Sequence, residues 1–486
     1  MYSDSNMRNV LGEGFMKLYY YIAFILVGLT GCKKDAPSEN YAYLGGEIIN
    51  PNTNFVVIYK SDAVLDTVKL DSNNRFIYKI NHLKTGLHTF RHGEEIQVVL
   101  LEPKDSIIFR LNTFDFDESL VFTGEGDEKN NYLINDFLQN EIDEKHIFRF
   151  CQLDPMGYET RIDSLRQIKI DRLKKFQNKY NPSDLFNKIA KASIDYSYYS
   201  SKEIYPFVHY GEHKRDILNA LPKDFYDFRK DVDYNDDFHK DYFNYNSFLK
   251  STFNNMALKE HLNHTETDEF SMKSLCYNLD RMAMVDKTIS NQSIKNNLLN
   301  HYTFNYLARS NDPEGNKAIL KSFMDKSTSD KDKKMVASVV SSLSSLKPGD
   351  DFPNVKLLDF KNNEVVVSSF LKRPTVLYFW SHAFYDHFKE SHYKANELMV
   401  KYPEVSFISV NIDGETSENC MASMKKNRFS CKNEYKFKDP KEAKQTLAIY
   451  PITKTIILDQ DKKIVNSNTN IFDINFEEQL LGLLNK

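Results

Sequence analysis

Short runs rich in β-branched and aromatic residues give residues 41–126 a clear hydrophobic pattern. The runs are residues 46–49, 55–59, 66–70, 75–80, 96–101 and 106–109. Polar turn sequences such as Asn50-Pro51-Asn52 separate them. Short strands with regular Asn, Asp, Gly and Pro punctuation are typical of β-sandwiches. The pattern therefore predicts an N-terminal antiparallel β-sandwich.

Apolar residues return at helical spacing between residues 127 and 345. Ile294, Leu298, Tyr302 and Tyr306 recur every four residues, which places them on one face of a helix. This pattern predicts a mainly helical region. Its tyrosine-rich patches, around residues 196–199 and 238–248, fit internal packing better than ligand binding, and both interpretations stay open at this point.

Strand and helix patterns alternate in the last third of the chain, residues 346–486. Strand-like runs cover residues 356–358, 375–380, 405–410 and 455–459. Helical patterns run to about residue 401, and then over residues 417–426 and 475–484. Alternation of this kind predicts a central mixed sheet flanked by helices. The expected fold class is therefore multidomain, with an all-β domain, a helical middle region and an α/β domain.

The N-terminus has the pattern of a secreted lipoprotein. A basic start at Met16-Lys17 and a short apolar run lead to Leu29-Thr30-Gly31-Cys32. The run is too short for a membrane span, so residues 1–31 are interpreted as a signal peptide with translation starting at Met16. Leu-Thr-Gly-Cys resembles the lipobox of bacterial lipoproteins, which implies lipidation of Cys32 and a tethered linker over residues 32–40. An uncleaved anchor helix is the alternative.

Charge and cysteine content exclude several classes of protein. The formal net charge is −4, with acidic and basic residues interspersed, which argues against a nucleic-acid partner. Beyond Cys32 the chain holds only four scattered cysteines, which do not form a disulfide framework. We expect no cofactor.

Residues 346–486 resemble the TlpA/ResA branch of the thioredoxin family. The resemblance rests on Lys347-Pro348-Gly349-Asp350 at the domain entry, Phe379-Trp380 at the end of a strand, the segment 409–413 and the late strand ending at Asp459. It implies a thioredoxin fold. Residues 41–126 similarly resemble a β-rich domain of unknown function that precedes thioredoxin-like modules in bacterial lipoproteins.

The resemblance also predicts which residues stand where active members carry chemistry. Their two cysteines fall four and seven residues after the tryptophan, and here these positions hold Phe384 and His387. The first cysteine needs a helix N-terminus to become a thiolate, and neither replacement can attack a disulfide. Counting back from Asp459 puts the family's cis-proline position at Thr453, which favours a trans bond. A two-residue shift that restores Pro451 stays open.

Three other kinds of site are conceivable in this domain: a redox pair, a metal site and an acid–base pair. Cys420 and Cys431 are candidates for a disulfide or a displaced redox pair, although two structural thiols are the simpler interpretation. A metal site would draw on His382, Asp386, His387 and His392, whose spacings match one helix face poorly, so no metal is expected. A His–Asp acid–base pair lacks an identifiable nucleophile nearby.

These observations lead to one functional hypothesis and one alternative. The hypothesis is a membrane-tethered cell-envelope lipoprotein, in the outer rather than the inner membrane and on its periplasmic or surface side. Its redox-inactive thioredoxin-like domain would bind an extended peptide or envelope protein. The predicted groove is lined by Trp380, Phe384, Tyr385, His387 and Thr453. The alternative is a thiol-disulfide oxidoreductase that uses Cys420 and Cys431.

Overall fold

The computed structural model of the chain describes residues 40–485 apart from residues 52, 62, 94, 212, 267–269 and 368–372. The predicted signal peptide, its start at Met16, the lipidation site Cys32 and nearly all of the linker lie outside the described residues. No described helix is both long and apolar enough to cross a membrane.

Two four-stranded sheets pack face to face at the N-terminal end. Their strands are β1 (Tyr41–Ile49), β2 (Phe55–Lys60), β3 (Ala63–Lys69), β4 (Arg75–Asn81), β5 (Gly86–His92), β6 (Glu95–Leu101), β7 (Ser106–Asn112) and β8 (Val121–Glu125), with helix α1 (Phe116–Ser119) between the last two. The sheet orders are β4-β1-β7-β8 and β3-β2-β5-β6. Ile58 and Phe90 from one sheet share a core with Leu44 and Phe109 from the other.

The sandwich differs from the predicted one in two ways. It is not wholly antiparallel, because β1 pairs in parallel with β7. It also contains β5 and β8, which the pattern did not predict. Buried positions of β5 are occupied by His88 and His92, where an apolar residue is the usual signal. The sequence of β5 therefore does not show the alternation of apolar and polar residues that predicts a strand.

Nine helices follow in the part of the chain that the structure describes up to Ser344. They are α2 (Asp127–Phe150), α3 (Pro155–Tyr180), α4 (Asp184–Val208), α5 (Lys214–Asn219), α6 (Phe243–His264), α7 (Leu275–Thr288), α8 (Gln292–Leu307), α9 (Pro313–Lys326) and α10 (Asp330–Ser344). Several begin at a side-chain cap: Asp154 precedes Pro155 and accepts bonds from two backbone N–H groups of α3, and Ser274 caps α7. The helical prediction agrees with these elements.

Aromatic packing accounts for the tyrosine-rich patches of this region. Tyr199 stacks on Phe228 with ring centroids 4.5 Å apart, and Tyr196 stacks on Phe248 at 5.3 Å. Both tyrosines pack against the core cluster that contains Leu298. Their hydroxyls are polar ends on otherwise apolar contacts.

A seven-stranded mixed sheet forms the last third of the chain. Its elements are β9 (Lys356–Asp359), β10 (Glu364–Val366), β11 (Thr375–Trp380), α11 (Tyr385–Lys401), β12 (Ser406–Asn411), α12 (Ser417–Lys426), β13 (Glu434–Phe437), α13 (Pro440–Thr446), β14 (Lys454–Leu458), β15 (Ile464–Asn470) and α14 (Phe476–Leu484). The strand order is β10-β9-β13-β12-β11-β14-β15. Separate apolar clusters cover its two faces.

Strand connectivity in the centre of this sheet has a simple form. Strand β11 crosses over through α11 to the parallel β12. Strand β14 then pairs antiparallel with β11, β15 pairs antiparallel with β14, and α14 follows. The expected mixed sheet with helices on both faces is therefore present, although β13, α13 and β15 were not predicted.

Candidate functional site

The start of α11 is where the resemblance places the chemistry. Strand β11 ends at Trp380, a turn of 3-10 helix follows, and α11 begins at Tyr385. Phe384, directly before the helix, is 55% exposed. The His387 Nε2–H donates to the Phe379 carbonyl oxygen at 3.1 Å, and burial lowers the pKa of His387. Both side chains lie where predicted, and neither is a sulfur nucleophile.

Trp380 was predicted to line a contact groove, and this prediction is wrong. Its side chain has no exposed surface and packs 4.7 Å from the Phe388 ring, in a cluster with Cys420 and Met424. All six residues of β11 are buried, so a large side chain at the strand end fills the core. The neighbouring Tyr385 is half-buried, and its hydroxyl donates to Asn427 Oδ1 at 3.0 Å.

Thr453 was predicted to hold the cis-proline position, and this register is two residues off. The cis peptide bond lies between Tyr450 and Pro451. Counting back from Asp459 failed because a tight turn, closed by the Lys454 N–H to the Pro451 carbonyl oxygen at 3.1 Å, separates the proline from β14. A prolyl amide also accepts the cis form at far lower cost than a threonyl one.

A cleft of about 840 Å³ opens beside this turn, between α8 and the β14–β15 edge of the sheet. Phe304 of α8 closes one end by packing on Tyr450, with ring centroids 4.4 Å apart. Asn468 of β15 donates from Nδ2 to the carbonyl oxygens of Leu307 and Ser310, each at 3.0 Å. These bonds hold the helical region against the sheet. Seven side-chain amides line the cleft: Asn305, Asn311, Asn466, Asn468, Asn470, Asn475 and Gln479.

Exposed apolar side chains border the same cleft. Tyr450 is 50% exposed, Phe472 is 40% exposed and Ile474 is 99% exposed. Phe472 also lies 6.1 Å from the His387 ring, between ring centroids. The predicted groove residues are thus only partly brought together: Thr453 lines the cleft, His387 contacts its border through Phe472, and Phe384 is not among the lining residues.

Basic groups outnumber acidic ones in the cleft. Among the described lining residues, Lys273 and Arg309 carry positive charge, and Asp473 has the one carboxylate. Lys454 is nearly inaccessible, with 2% exposure, and its Nζ donates to the Ala448 carbonyl oxygen at 3.1 Å. Burial lowers the pKa of Lys454 to about 7. The cleft therefore combines amide donors, aromatic edges and positive charge, a lining suited to an anionic or carboxylate-bearing chain.

Cys420 and Cys431 were predicted as a candidate disulfide or redox pair, and the structure contradicts this pairing. Both are free thiols, one buried within α12 and the other exposed after it. Burial raises the pKa of Cys420 to about 12, and burial with the charge of Glu434 raises that of Cys431. A reactive cysteine needs the opposite shift, because the thiolate is the nucleophile.

The four residues considered for a metal site lie apart and have other partners. His387 bonds to Phe379 as described, Asp386 pairs with Lys389 at 2.9 Å, and buried His392 lies 3.3 Å from Glu434. His382 joins a different group instead. Its Nδ1 is 3.1 Å from Asp413 Oδ2, and its Nε2 is 2.9 Å from Ser423 Oγ.

Ser423, His382 and Asp413 thus place a hydroxyl beside a His–Asp pair. The spacing of these residues along the sequence does not reveal the group. Burial raises the pKa of Asp413, and hydrogen bonds from His382 and Ser381 outweigh it, so that the pKa lies below its usual value. Ser423 sits inside α12, however, where backbone N–H groups are committed to helical bonds. Without free N–H donors for an oxyanion, this group fastens the turn after β11 to α12 rather than forming a nucleophilic site.

Comparisons with known proteins find structural similarity only. No protein-family model matches the sequence, and no curated relative does. A protein described as a thiol-disulfide oxidoreductase from Bacteroides vulgatus is 20% identical and covers 29% of this chain and 99% of its own, with a TM-score of 0.24. A DsbE thiol:disulfide interchange protein from Chlorobium tepidum is 22% identical with the same coverage and TM-score.

A thioredoxin domain from a second Bacteroides vulgatus oxidoreductase is 19% identical and covers 26% of this chain and 91% of its own, at a TM-score of 0.22. The central mixed sheet with apolar clusters on both faces agrees with the arrangement that the resemblance implied. Similarity at this identity does not extend to activity, which has to be argued from the site.

Proposed function

We propose that the protein is a cell-envelope lipoprotein of TlpA/ResA-like ancestry. Its thioredoxin-like domain has no thiol chemistry and binds an extended polypeptide in the cleft between α8 and β14–β15. The N-terminal lipobox-like sequence supports the envelope location and the lipid anchor at Cys32. The observation that carries the proposal is the pairing of an aromatic-bordered cleft beside Pro451 with the absence of cysteine at positions 384 and 387.

Loss of thiol exchange is supported by what surrounds each remaining cysteine. Among the described cysteines, Cys151 and Cys420 are buried, and Cys276 and Cys431 are exposed with raised pKa values. None stands at the start of α11. Because thiol–disulfide exchange proceeds through a thiolate, these sites are poorly suited to it. The oxidoreductase alternative rests on the similarity to solved thiol-disulfide oxidoreductases, which are 20% and 22% identical to this chain.

Binding of a polypeptide is supported by the lining of the cleft. Seven amide side chains line the cleft, and those not bonded within the protein can donate to and accept from a peptide backbone. Tyr450, Phe472 and Ile474 offer apolar contact. The excess of Lys and Arg over Asp favours an acidic peptide. Large aromatic side chains at the border resemble the anchors that dominate binding energy in other interfaces.

Fluorescence anisotropy with labelled ten-residue peptides tests the proposal. Peptides that combine acidic and aromatic residues should bind, and basic peptides of the same length should bind at least about tenfold more weakly. Ile474→Ser and Phe472→Ala should each weaken binding of the acidic peptide by about tenfold. Ile474 is almost fully exposed, so its substitution leaves the fold intact.

Tyr210→Ala is the matched control, since Tyr210 is 69% exposed and lies outside the cleft lining. It should bind like the unmodified protein. The proposal fails if no peptide binds, or if the Ile474 and Phe472 variants bind as tightly as the Tyr210 variant.

A further inference from the structure

Four side chains with metal-binding atoms converge where α6 ends and α7 begins. His261 and His264 lie on the last turn of α6, and Cys276 and Asp280 lie on the first two turns of α7. Three- and four-residue spacings place each pair on one face of its helix. Neither pair lines the cleft. The metal site considered from the sequence draws instead on His382, His387 and His392.

Packing between the two helices brings these faces together. Leu258 and Leu262 of α6 share an apolar cluster with Tyr277 of α7. The Tyr277 hydroxyl donates to the Asn254 carbonyl oxygen at 3.0 Å, and its ring lies 5.9 Å from that of His261. The apolar cluster and the Tyr277–Asn254 hydrogen bond thus fix the helix ends without the four polar side chains.

Distances within the cluster are close to those of a coordination sphere. Each of the four residues offers one ligand atom, and all four atoms lie within 4.8 Å of one another. Asp280 Oδ2 is 3.2 Å from His261 Nδ1 and 3.0 Å from His264 Nε2. A tetrahedral site with bonds of about 2.0–2.3 Å needs ligand atoms about 3.3–3.8 Å apart. The two Asp280–histidine distances would lengthen slightly, and the widest separation, within 4.8 Å, would shorten by about 1 Å.

Chemistry of the donor set is selective. Two imidazoles, one thiol and one carboxylate form a mixed nitrogen, sulfur and oxygen set, which suits Zn²⁺ and disfavours Mg²⁺ and Ca²⁺. Within the described part of the chain, Asp280 has no Lys or Arg partner in an ion pair, and its carboxylate contacts His261 and His264. A divalent cation would balance that charge.

We propose that His261, His264, Cys276 and Asp280 bind one Zn²⁺ ion, which clips the C-terminal end of α6 to the N-terminal end of α7. Four protein ligands leave no open position, so the ion has a structural role. His261 is buried, whereas His264 and Cys276 are exposed, so the metal can enter from solvent. This inference is independent of the proposed function of the cleft.

Cobalt substitution of the purified protein tests the site, because Co²⁺ replaces Zn²⁺ and its thiolate charge-transfer absorption reports a sulfur ligand. We expect one equivalent of Co²⁺ to produce this absorption and one equivalent of Zn²⁺ to bleach it. Cys276→Ser should abolish the absorption. Cys431→Ser removes the other exposed cysteine of the described residues and should leave the absorption unchanged.

A second measurement does not depend on the thiol. His264→Ala should weaken Zn²⁺ binding in calorimetry by about 100-fold, because one of four ligands is lost. His264 and Cys276 are both exposed, so these variants keep the fold, which circular dichroism verifies. The proposal is overturned if the unmodified protein binds no Zn²⁺, or if Cys276→Ser and His264→Ala bind Co²⁺ and Zn²⁺ like the Cys431 variant. Either result would leave a hydrogen-bonded cluster only.

Discussion

Lys454 is almost completely buried at the first position of β14, and its charged form should lower the free energy of unfolding. Burial lowers its pKa from 10.5 to about 7. Each unit of pKa difference between folded and unfolded chains corresponds to about 1.36 kcal/mol, so the full shift corresponds to about 5 kcal/mol. The amine has only the Ala448 carbonyl oxygen as a bonding partner in the described structure, at 3.1 Å.

Proton linkage fixes the pH range in which this cost appears. Above pH 10.5 the amine is neutral in both states and has no effect. As the pH falls from 10.5 towards 7, the unfolded chain takes up a proton that the folded chain does not, so stability declines. Below pH 7 both states are protonated, and the cost stays constant. At pH 8 the expected cost is about 3 kcal/mol.

Lys454→Met should therefore stabilise the domain by about 3–4 kcal/mol at pH 6, after about 1 kcal/mol is deducted for the lost hydrogen bond. The gain should vanish near pH 10. Urea unfolding followed by the fluorescence of Trp380 measures this cleanly, since it is the only tryptophan and lies buried in the same domain. The midpoint should rise by about 1–2 M urea at pH 6.

Lys441→Met is the control, because Lys441 is exposed on α13, and it should change stability by less than about 0.5 kcal/mol. The reasoning is refuted if Lys454→Met destabilises the domain at pH 6, or if its effect is the same at pH 6 and pH 10.

Three further predictions concern other parts of the molecule. Arg229→Met leaves the fully buried Glu203 carboxylate without the guanidinium that pairs with it, and should lower the free energy of unfolding by about 3–5 kcal/mol. The thermal midpoint should fall, and an unchanged midpoint would contradict this prediction. Gly124→Ala puts a methyl group 2.1 Å from the Ser106 carbonyl oxygen at a residue whose φ is +105°. The free energy of unfolding measured in urea should fall by about 1–3 kcal/mol, and wild-type stability would argue against this strand contact. With a disulfide reagent, the exposed Cys276 and Cys431 should react in the native protein, and the buried Cys151 and Cys420 only after denaturation. Rapid reaction of all four described cysteines would be inconsistent with the structure.

The elements that sequence patterns predicted best are those with strong local signals. Strand β11 is an uninterrupted apolar run, and α12 begins at a threonine cap, so both match their predicted bounds. Strand β15 carries polar residues instead. Its buried Ser467 and Asn468 are satisfied by carbonyl oxygens of Leu346, Leu307 and Ser310, which lie more than a hundred residues away.

Sites depend on such long-range contacts even more than strands do. The absence of cysteine at positions 384 and 387 could be predicted from the sequence, because identifying these positions needs only their spacing from Trp380. The cleft was not, since it forms between α8 and the β14–β15 edge, about 150 residues apart. The spacings of His261 to His264 and Cys276 to Asp280 were visible signals, but only the packing of α6 on α7 joins them.

The thioredoxin-like domain is proposed to lack thiol–disulfide exchange, and an insulin reduction assay with dithiothreitol tests this proposal most directly. The purified protein should show no rate above dithiothreitol alone. A Phe384→Cys/His387→Cys variant, which restores the spacing at the start of α11, should gain a measurable rate because the helix N-terminus lowers the pKa of the first thiol. Reduction of insulin by the unmodified protein would contradict the account and direct attention to Cys420 and Cys431.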